Sequence, residues 1–410
     1  MASEGSKPVR IGLLGRGTVG AAFADLLAER SDAVEAATGL RPEVSGVLTR
    51  GEGDFEAILA GSDLVVELMG GTEPAREHVL AALRAGKPVV TANKQLLAQH
   101  GDELFAVARE AGVQLRFEAA VAAVIPIVRT IQESFGVTEI SKVFGIVNGT
   151  TNFILTEMAA SGAGYDEVLA QAQELGYAEA DPTDDVSGAD AAAKMAILAR
   201  LAFHTPVTLD EVTYEGIERV LPDDLAYAKE FGLSLKLLGV AERRDGGISV
   251  RVFPCFLYRG HPLAPIEGPF NAVMVEAPAI SEVTMSGPGA GGLQTASAVL
   301  GDVVSILAGD APVHETRVEL PIVQDVSSSF YLYLEVADQP GVLARVATVL
   351  GDHDVSVKSV VQRGIGDEAR LVMVIHECLE SKFAEAIAAL ESLDELRAPP
   401  RAIRVIEEEY

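Results

Sequence analysis

Short apolar runs alternate with helical patterns from the beginning of the chain. Apolar residues at helical spacing occupy 21–28, 77–85 and 102–111, between runs that read as strands. The predicted strands are 9–14, 44–49, 64–68, 88–91 and 114–118. This βαβ rhythm predicts an α/β fold that begins with a Rossmann-like, doubly wound parallel sheet over residues 1–128.

The middle of the chain, residues 129–325, has a different pattern. Long helical stretches are combined with strand-like runs at 140–147 and 248–257, and glycine-rich loops occur at 148–152 and 286–292. We interpret this segment as an α+β domain that binds the substrate.

The tail, residues 328–410, forms a third unit. Its pattern reads strand, helix, strand, strand, helix, strand, with a turn at 338–341 after the first strand. This βαββαβ order in a short segment predicts a ferredoxin-like module.

Composition and charge exclude several classes of protein. The 410 residues carry a net charge of −28, which disfavours nucleic acid and anionic membrane surfaces as partners. The longest apolar run, 119–128, is too short to span a membrane, and the first ten residues have no apolar leader segment. Two distant cysteines cannot form a disulfide framework. A cytoplasmic protein is therefore expected.

A glycine motif follows the first predicted strand. Gly15, Gly17 and Gly20 have the spacing G-x-G-x-x-G, and a helical pattern comes next. The first glycine permits a tight turn, the second lets a pyrophosphate approach the backbone, and the third lets the helix pack on the strand. The free N–H groups at the helix start favour an anion. The motif predicts a dinucleotide site; the alternative is an ordinary strand-to-helix turn.

The end of the second predicted strand bears on the choice of nicotinamide cofactor. NAD sites usually carry an acidic residue there, which bonds the ribose 2′-hydroxyl. Here Arg50 occupies the tip, and a guanidinium suits a 2′-phosphate. NADP is therefore predicted, with NAD possible because Glu52 is near; a solvated surface arginine is the alternative.

An acidic loop and the helix after it carry the densest chemistry. Ser187 is predicted to cap this helix. Asp190 and Lys194 share its apolar face with Ile197, Leu198 and Leu201. Because burying an unpaired lysine is energetically costly, the pattern favours a positioned lysine whose pKa is set by burial and by nearby carboxylates. A solvated ion pair between Asp190 and Lys194 is the alternative. Glu179 and Asp185 are candidates to bind a substrate ammonium.

Two strand ends provide further candidates. Lys94 follows the fourth predicted strand, at the sheet edge where ligands bind, and is expected to contact cofactor or substrate anions. Glu118 ends the fifth, before an apolar stretch. One carboxylate with backbone carbonyls can hold a hard cation, although a buried strand-to-helix turn is the alternative.

Together these segments closely resemble the homoserine dehydrogenase family. The signature spacing is kept over 172–194, and further family motifs stand at 148–152, 92–94 and 287–291. The tail resembles an ACT domain. The resemblance covers nearly the whole chain and implies NAD(P)-dependent interconversion of L-aspartate 4-semialdehyde and L-homoserine, in threonine, methionine and isoleucine biosynthesis. It also implies a homo-oligomer that dimerises through the central domain.

The resemblance assigns roles to individual residues. Glu179 and Asp185 would hold the amino acid, and Asp190 would support Lys194, the first candidate for proton donor to the nascent alkoxide, with Lys94 second. The implied cofactor cradle consists of Gly15, Gly17, Thr18, Val19, Gly20, Arg50, Thr91, Lys94 and Gly291.

Two implied sites depart from the family pattern. A sodium ion is implied near Glu118, Val121, Ala123 and Ile125, yet members usually have glycines where Ala123 and Val124 stand. The ACT-like tail would bind threonine between the 338–341 turn and the helix after it, across a dimer of such modules. There, Asp354 replaces a common glycine, and Asp tolerates left-handed backbone better than most residues.

Two other classes of protein fit these residues less well. A thiol-dependent aldehyde dehydrogenase needs a cysteine nucleophile, but Cys255 and Cys378 lie outside the glycine-rich and acidic segments. A non-catalytic amino-acid sensor would have no chemical need for both candidate lysines and the acidic loop.

Overall fold

The computed structural model describes residues 8–310, 317–364, 366 and 369–406. Residues 1–7, part of the N-terminus predicted to lack a leader segment, lie outside this range. Residues 407–410 of the predicted ACT module also lie outside it. Within the described residues, no helix has the length and apolar character needed to cross a membrane.

The N-terminal unit is a five-stranded parallel sheet in the order β2-β1-β3-β4-β5. Its strands are β1 (Pro8–Leu14), β2 (Arg41–Leu48), β3 (Leu64–Glu67), β4 (Val89–Thr91) and β5 (Leu115–Arg116). Its helices are α1 (Thr18–Thr38), α2 (Phe55–Gly61), α3 (Ala75–Arg84) and α4 (Lys94–Ala111). The predicted strands are all present, and α1 and α4 are longer than their apolar patterns indicated.

Side chains on successive strand residues point to opposite faces, and both faces of this sheet are covered. Leu13 packs in a core with Phe23 of α1, whereas Leu14 packs in a second core with Val79 of α3 and Leu96 of α4. The doubly wound architecture expected from the βαβ rhythm is thereby confirmed.

The central unit packs helices against a long mixed sheet. In chain order its first elements are α5 (Ile127–Arg129), β6 (Lys142–Ile146), α6 (Gly149–Ser161), α7 (Tyr165–Glu174), α8 (Thr183–Val186), α9 (Ala189–Phe203), β7 (Thr213–Tyr214) and α10 (Pro222–Glu230). They are followed by β8 (Leu233–Arg244), β9 (Gly247–Tyr258), β10 (Phe270–Ala277), β11 (Ser281–Pro288) and α11 (Gly292–Ala308).

The last helix of this unit returns to the N-terminal sheet. Ala296, Val299 and Val303 of α11 share a buried core with Phe23 and Leu27 of α1. The loop before α11 consequently lies beside the beginning of α1. No local sequence pattern indicates this docking, because it depends on contacts between residues about 270 positions apart.

The tail has the predicted βαββαβ order. Its elements are β12 (Ser327–Glu335), α12 (Val342–Asp352), β13 (Val357–Arg363), β14 (Arg370–Leu379), α13 (Glu380–Glu391) and β15 (Arg401–Ile406). These strands extend the central sheet, whose order is β11-β10-β6-β8-β9-β15-β12-β14-β13. The junction is a parallel pairing in which Arg404 of β15 lies opposite Cys255 of β9.

Charged side chains reinforce this junction. Arg251 of β9 donates to Glu380 of α13 at 2.6 Å and to Glu242 of β8 at 2.9 Å. Arg404 of β15 donates to Glu380 at 2.7 Å and to Glu215 of the central unit at 3.1 Å. Tail and central unit are therefore held together by ion pairs as well as by backbone hydrogen bonds.

Candidate active site at the carboxyl edge of the parallel sheet

The glycine turn between β1 and α1 leaves an open helix start. A Cβ on Gly20 would lie 2.1 Å from the carbonyl oxygen of Gly15, so this close approach requires glycine. At Gly17, the N-cap of α1, an added Cβ would meet no atom within 4 Å, and no side chain caps the helix. The predicted turn is therefore present, and Gly17, Thr18 and Val19 leave room for an anion.

A second helix start lies against the first. Gly291 is the N-cap of α11, and a Cβ on Gly292 would lie 3.1 Å from the side-chain methyl of Thr18. The N-termini of α1 and α11 thus lie side by side, and both favour negative charge. Arg50 lies exposed just beyond the end of β2, where it was expected.

Thr91, at the end of β4, is fully buried, and its side chain is engaged by the protein itself. Its Oγ1 donates to Glu67 Oε2 at 2.5 Å and accepts from the backbone N–H of Asn93 at 3.0 Å. Burial raises the pKa of Glu67, and its hydrogen bonds only partly oppose that shift. Thr91 therefore shapes the strand end through Glu67, which the sequence interpretation missed although a carboxylate at the end of an apolar strand is a recognisable signal.

Two lysines from different units converge on one buried carboxylate. Lys94, the first residue of α4, donates to Asp190 Oδ1, and Lys194 donates to Asp190 Oδ2 at 2.7 Å. Lys194 also donates to the carbonyl oxygen of Val147 at 2.7 Å. Side-chain exposure is 2% for Asp190, 13% for Lys194 and 37% for Lys94. The predicted positioned lysine is thus present, and it is not a solvated surface pair.

The charges of this cluster shift one another's protonation. Burial tends to raise the pKa of Asp190, but the charges of Lys194 and Lys94 outweigh it and hold that pKa well below its usual range. Burial tends to lower the pKa of Lys94, but the charge and hydrogen bond of Asp190 reverse the sign, so the pKa is raised. Asp190 and Lys94 are therefore charged at neutral pH.

Asn148 connects this cluster to the acidic loop. Its Nδ2 donates to Asp185 Oδ1 at 2.7 Å and to Asp190 Oδ2 at 2.8 Å. Burial is the main reason that the pKa of Asp185 is raised. Asn148 was noted only as part of a motif; an asparagine between a strand and Gly-Thr-Thr is a helix-cap signal that could have marked it.

Two expectations about the acidic segment need correction or qualification. The N-cap of α9 is Gly188, with φ +88°, rather than Ser187, whose Oγ accepts the N–H of Ala189 at 3.4 Å. Position 188 favours glycine because the carbonyl oxygen of Glu215 lies 3.1 Å from where a Cβ would stand. Glu179 is exposed on the loop between α7 and α8, and in the described part of the chain no hydrogen bond joins its carboxylate to the lysine cluster.

The predicted cation segment forms a tight buried turn. Both carboxylate oxygens of Glu118 accept backbone N–H groups, those of Val128 at 2.8 Å and Arg129 at 2.9 Å. Ala122 and Ala123 adopt left-handed backbone, with φ of 54° and 49°. The turn therefore forms without the glycines typical of the family, at a cost of about 1–2 kcal/mol for each alanine.

The charge state of Glu118 is coupled to Asp302 on α11. Asp302 Oδ2 accepts the backbone N–H of Glu118 at 2.8 Å. Burial raises the pKa of Glu118 to about 7 and that of Asp302 to about 6. Among the described residues, no group of three or more histidine, cysteine, aspartate or glutamate side chains is arranged to hold a metal ion.

The tail contains the pocket expected after its first strand. A cavity of about 310 Å³ is lined by the 338–341 turn, by Val342 and Leu343 of α12, and by Gln362 of β13. Asp354 has φ 58°, so it occupies the left-handed position that a glycine commonly fills.

The cysteines do not support thiol chemistry. Cys255 is fully buried in β9, and burial raises the pKa of its thiol to about 12. Burial also raises the pKa of Cys378. Cys255 in β9 and Cys378 in β14 also lie outside the glycine turn and the lysine cluster, so neither thiol supports a thiol-dependent aldehyde dehydrogenase.

Comparisons with known proteins agree with this geometry. Family models match residues 126–304 as homoserine dehydrogenase, 15–118 as the NAD-binding domain of homoserine dehydrogenase, and 330–395 as an ACT domain. The chain is 42% identical to the homoserine dehydrogenase of Mycobacterium tuberculosis, with 97% of this chain and 98% of that protein covered. It is 43% identical to that of Corynebacterium glutamicum, with 97% and 95% covered.

Comparison with solved structures also points to homoserine dehydrogenases. A homoserine dehydrogenase from Thiobacillus denitrificans matches with a TM-score of 0.91 and 38% identity, covering 98% of this chain and 99% of that one. A hyperthermophilic archaeal homoserine dehydrogenase in complex with NADPH matches with a TM-score of 0.65 and 27% identity, covering 75% of this chain and all of that one. The chain belongs to the homoserine dehydrogenase family and carries a C-terminal ACT domain.

Proposed function

We propose that this chain interconverts L-homoserine and L-aspartate 4-semialdehyde with NADP as the hydride carrier. The observation that carries the proposal is the pair of lysines, Lys94 and Lys194, on the buried carboxylate of Asp190. Lys94 begins α4 three residues after the end of β4, at the sheet edge that also holds the glycine turn. A substrate oxygen between the lysines and a bound nicotinamide would meet two positive charges.

The proton chemistry follows from this placement. The glycine turn would hold a nicotinamide cofactor, which when bound would supply the hydride in one direction and accept it in the other. During reduction, Lys194 donates a proton from Nζ to the aldehyde oxygen as it becomes an alkoxide; during oxidation, Nζ receives the hydroxyl proton. Asp190 and the Val147 carbonyl hold Nζ in place, each at 2.7 Å.

Lys94 complements this role from the other carboxylate oxygen of Asp190. Because its pKa is raised, it stays charged at neutral pH and can stabilise the developing alkoxide electrostatically. Lys94 is the second candidate for the proton donor, because it reaches the same carboxylate as Lys194. Removing either lysine and comparing the two losses in kcat distinguishes these roles.

The acidic loop is proposed to bind the amino-acid part of the substrate. Asp185 lies beside the cluster, bonded through Oδ1 to Asn148, and can accept the substrate ammonium. Glu179 is exposed on the same loop and would join it once substrate is bound. Both carboxylates are compatible with an ammonium, which needs several acceptors when it is desolvated.

The proposal extends to a sodium ion at the Glu118 turn. One observation fits a hard monovalent cation: two buried carboxylates, Glu118 and Asp302, lie next to each other. Arg129 at 3.4 Å from Asp302 offsets part of this charge, and the ion would share the Glu118 oxygens with two backbone N–H groups. Glu118, Val121, Ala123 and Ile125 would hold the ion, which would compensate buried negative charge. Activity that is equal in sodium and in choline salts would contradict this part.

The ACT domain is proposed to bind threonine and to lower activity. The cavity of about 310 Å³ beside the 338–341 turn has the size of a small amino-acid site and a polar rim that includes Asp338 and Gln362. A homo-oligomer built through the central domain rests on the family resemblance. Kinetics unchanged by millimolar threonine would count against regulation, and a monomeric mass in light scattering would count against assembly.

One assay tests the function itself. The purified chain is incubated with L-homoserine and either NADP or NAD, and the formation of reduced nicotinamide is followed by absorbance, with product identity checked by mass spectrometry. Turnover with homoserine, faster with NADP, is expected. A folded sample that turns over neither cofactor would refute the proposal.

A further inference from the structure

Asn148 lies where the central sheet meets the catalytic cluster. It follows the end of β6 and is the N-cap of α6, with only 4% of its surface exposed. Its Oδ1 accepts the backbone N–H of Thr151 at 2.8 Å and the hydroxyl of Thr151 at 2.9 Å. Because the oxygen is committed to the helix start, the direction of the amide nitrogen is fixed.

That nitrogen faces two carboxylates from two different helices. Nδ2 donates to Asp185 of α8 at 2.7 Å and to Asp190 of α9 at 2.8 Å. Carboxylates accept hydrogen bonds and cannot donate them when ionised, so the amide must present its nitrogen to this side. Both N–H groups are therefore used, one on each aspartate.

We propose that Asn148 is a positioning residue: it holds Asp185 and Asp190 together, so that Asp190 binds the two lysines and Asp185 binds the substrate. This inference rests on the proposed function. Asp190 receives both lysines as well as the amide, so its negative charge is compensated. Among the described residues, Asn148 is the hydrogen-bond partner found for the Asp185 side chain, and Asp185 Oδ2 is left for a substrate ammonium.

A neutral amide is the suitable group for this position. Two carboxylates near one another repel, and a donor shared between them opposes that repulsion without adding charge. The preceding residue contributes too, since the Val147 carbonyl accepts from Lys194 at 2.7 Å. The end of β6 thus orients both the proton-carrying lysine and the carboxylate for the substrate.

The test separates positioning from helix capping. Asn148→Ser keeps a side chain that can cap α6, but its short hydroxyl cannot bridge both aspartates. Asn148→Asp keeps the cap and nearly the same shape, but replaces the donor with a third carboxylate. Thr151→Val is the matched control, because it removes a bond to Asn148 Oδ1 and leaves the amide nitrogen untouched.

Asn148→Ser is expected to raise KM for homoserine by about tenfold to hundredfold, the factor for losing a hydrogen bond to a charged group, with the NADP Kd near wild type. Its Tm is expected to fall, because the two aspartates lose their shared donor. Thr151→Val is expected to lower Tm with a much smaller change in KM.

Asn148→Asp is expected to move the acidic limb of the kcat/KM profile to higher pH, because the added carboxylate favours a bound proton in the cluster. The charged groups that face this site are Asp184 and Asp185 on α8, Asp190 and Lys194 on α9, and Lys94 on α4.

Asn148 variants with wild-type KM and pH profile, or with defects matched by Thr151→Val, would overturn the inference. Homoserine affinity is measured by calorimetry in the presence of NADPH, which cannot oxidise homoserine, and turnover is measured separately with NADP. A wild-type chain that binds homoserine without turning it over refutes the proposed function, and the change in affinity still decides the role of Asn148.

Discussion

Replacing Lys194 with alanine removes the group that carries the proposed proton. Its Nζ makes two hydrogen bonds of 2.7 Å, to Asp190 and to the Val147 carbonyl, and the side chain is 13% exposed. Loss of a positioned general acid typically lowers the rate by about 10²–10⁴-fold, which corresponds to about 3–5 kcal/mol in the barrier. We expect kcat to fall within that range.

The same change should leave the fold largely intact. Breaking a buried ion pair commonly costs about 3–5 kcal/mol because a charge is left alone. Here Asp190 keeps Lys94 and Asn148 as partners, so we expect a smaller loss of stability. The glycine turn lies in a different unit, and the Kd for NADP should change little.

The assay combines steady-state turnover, cofactor titration and thermal melting on the same preparation. Lys382→Ala is the control for the loss of one lysine, since Lys382 pairs with Asp354 on the surface of the ACT domain at 2.6 Å. That variant should turn over normally without threonine. A folded Lys194→Ala protein with kcat near wild type would refute the assignment of the proton to this lysine.

Four further substitutions test the cofactor site and a buried charge. Gly17→Ala should keep wild-type Tm and weaken NADP binding, because its Cβ enters only the open space at the helix start. Gly20→Ala should lower Tm, because its Cβ would lie 2.1 Å from the Gly15 carbonyl oxygen. Equal Tm values for the two variants would contradict this difference. Arg50→Glu should reverse the preference of NADP over NAD in kcat/KM, and an unchanged ratio would place Arg50 outside the cofactor site. Burial lowers the pKa of Lys236 to about 8 in the folded state. Above that pH the unfolded state binds more protons than the folded state, so the free energy of unfolding should rise with pH. The rise should be about 1.4 kcal/mol per pH unit until the lysine of the unfolded chain also loses its proton. Lys236→Met should flatten this rise in urea denaturation between pH 8 and 10.5, and an unchanged slope would refute the assignment.

The sequence predicted the elements of the parallel sheet because their signal is local. Apolar runs such as 64–66 and the glycine turn at 15–20 need no distant partner to be recognised. The predicted strand 114–118 is shorter in the structure, since Glu118 leaves it and binds the start of α5. The docking of α11 on α1 was not predictable locally, because it depends on long-range packing.

The candidate site shows the same difference between local and long-range signals. Asp190 and Lys194 are one helical turn apart, so spacing alone predicted their pairing. The arrival of Lys94 at the same carboxylate depends on how α4 lies relative to α9, which no local pattern contains. Asn148 and Glu67 each carried a local signal, a helix cap and a carboxylate at a strand end, but their bonds to Asp185, Asp190 and Thr91 depend on contacts that no local pattern contains.

The parallel pairing of β15 with β9 has a consequence for shortened versions of the protein. The last strand of the chain covers the backbone of residues 255–257, next to the short segment of β9 that β7 covers. Truncation before the ACT domain would bare the N–H and C=O groups of Cys255, Phe256 and Leu257, an apolar edge suited to edge-to-edge association. The tail therefore covers this edge of the central sheet, and a chain shortened before the tail is expected to associate through the bared edge.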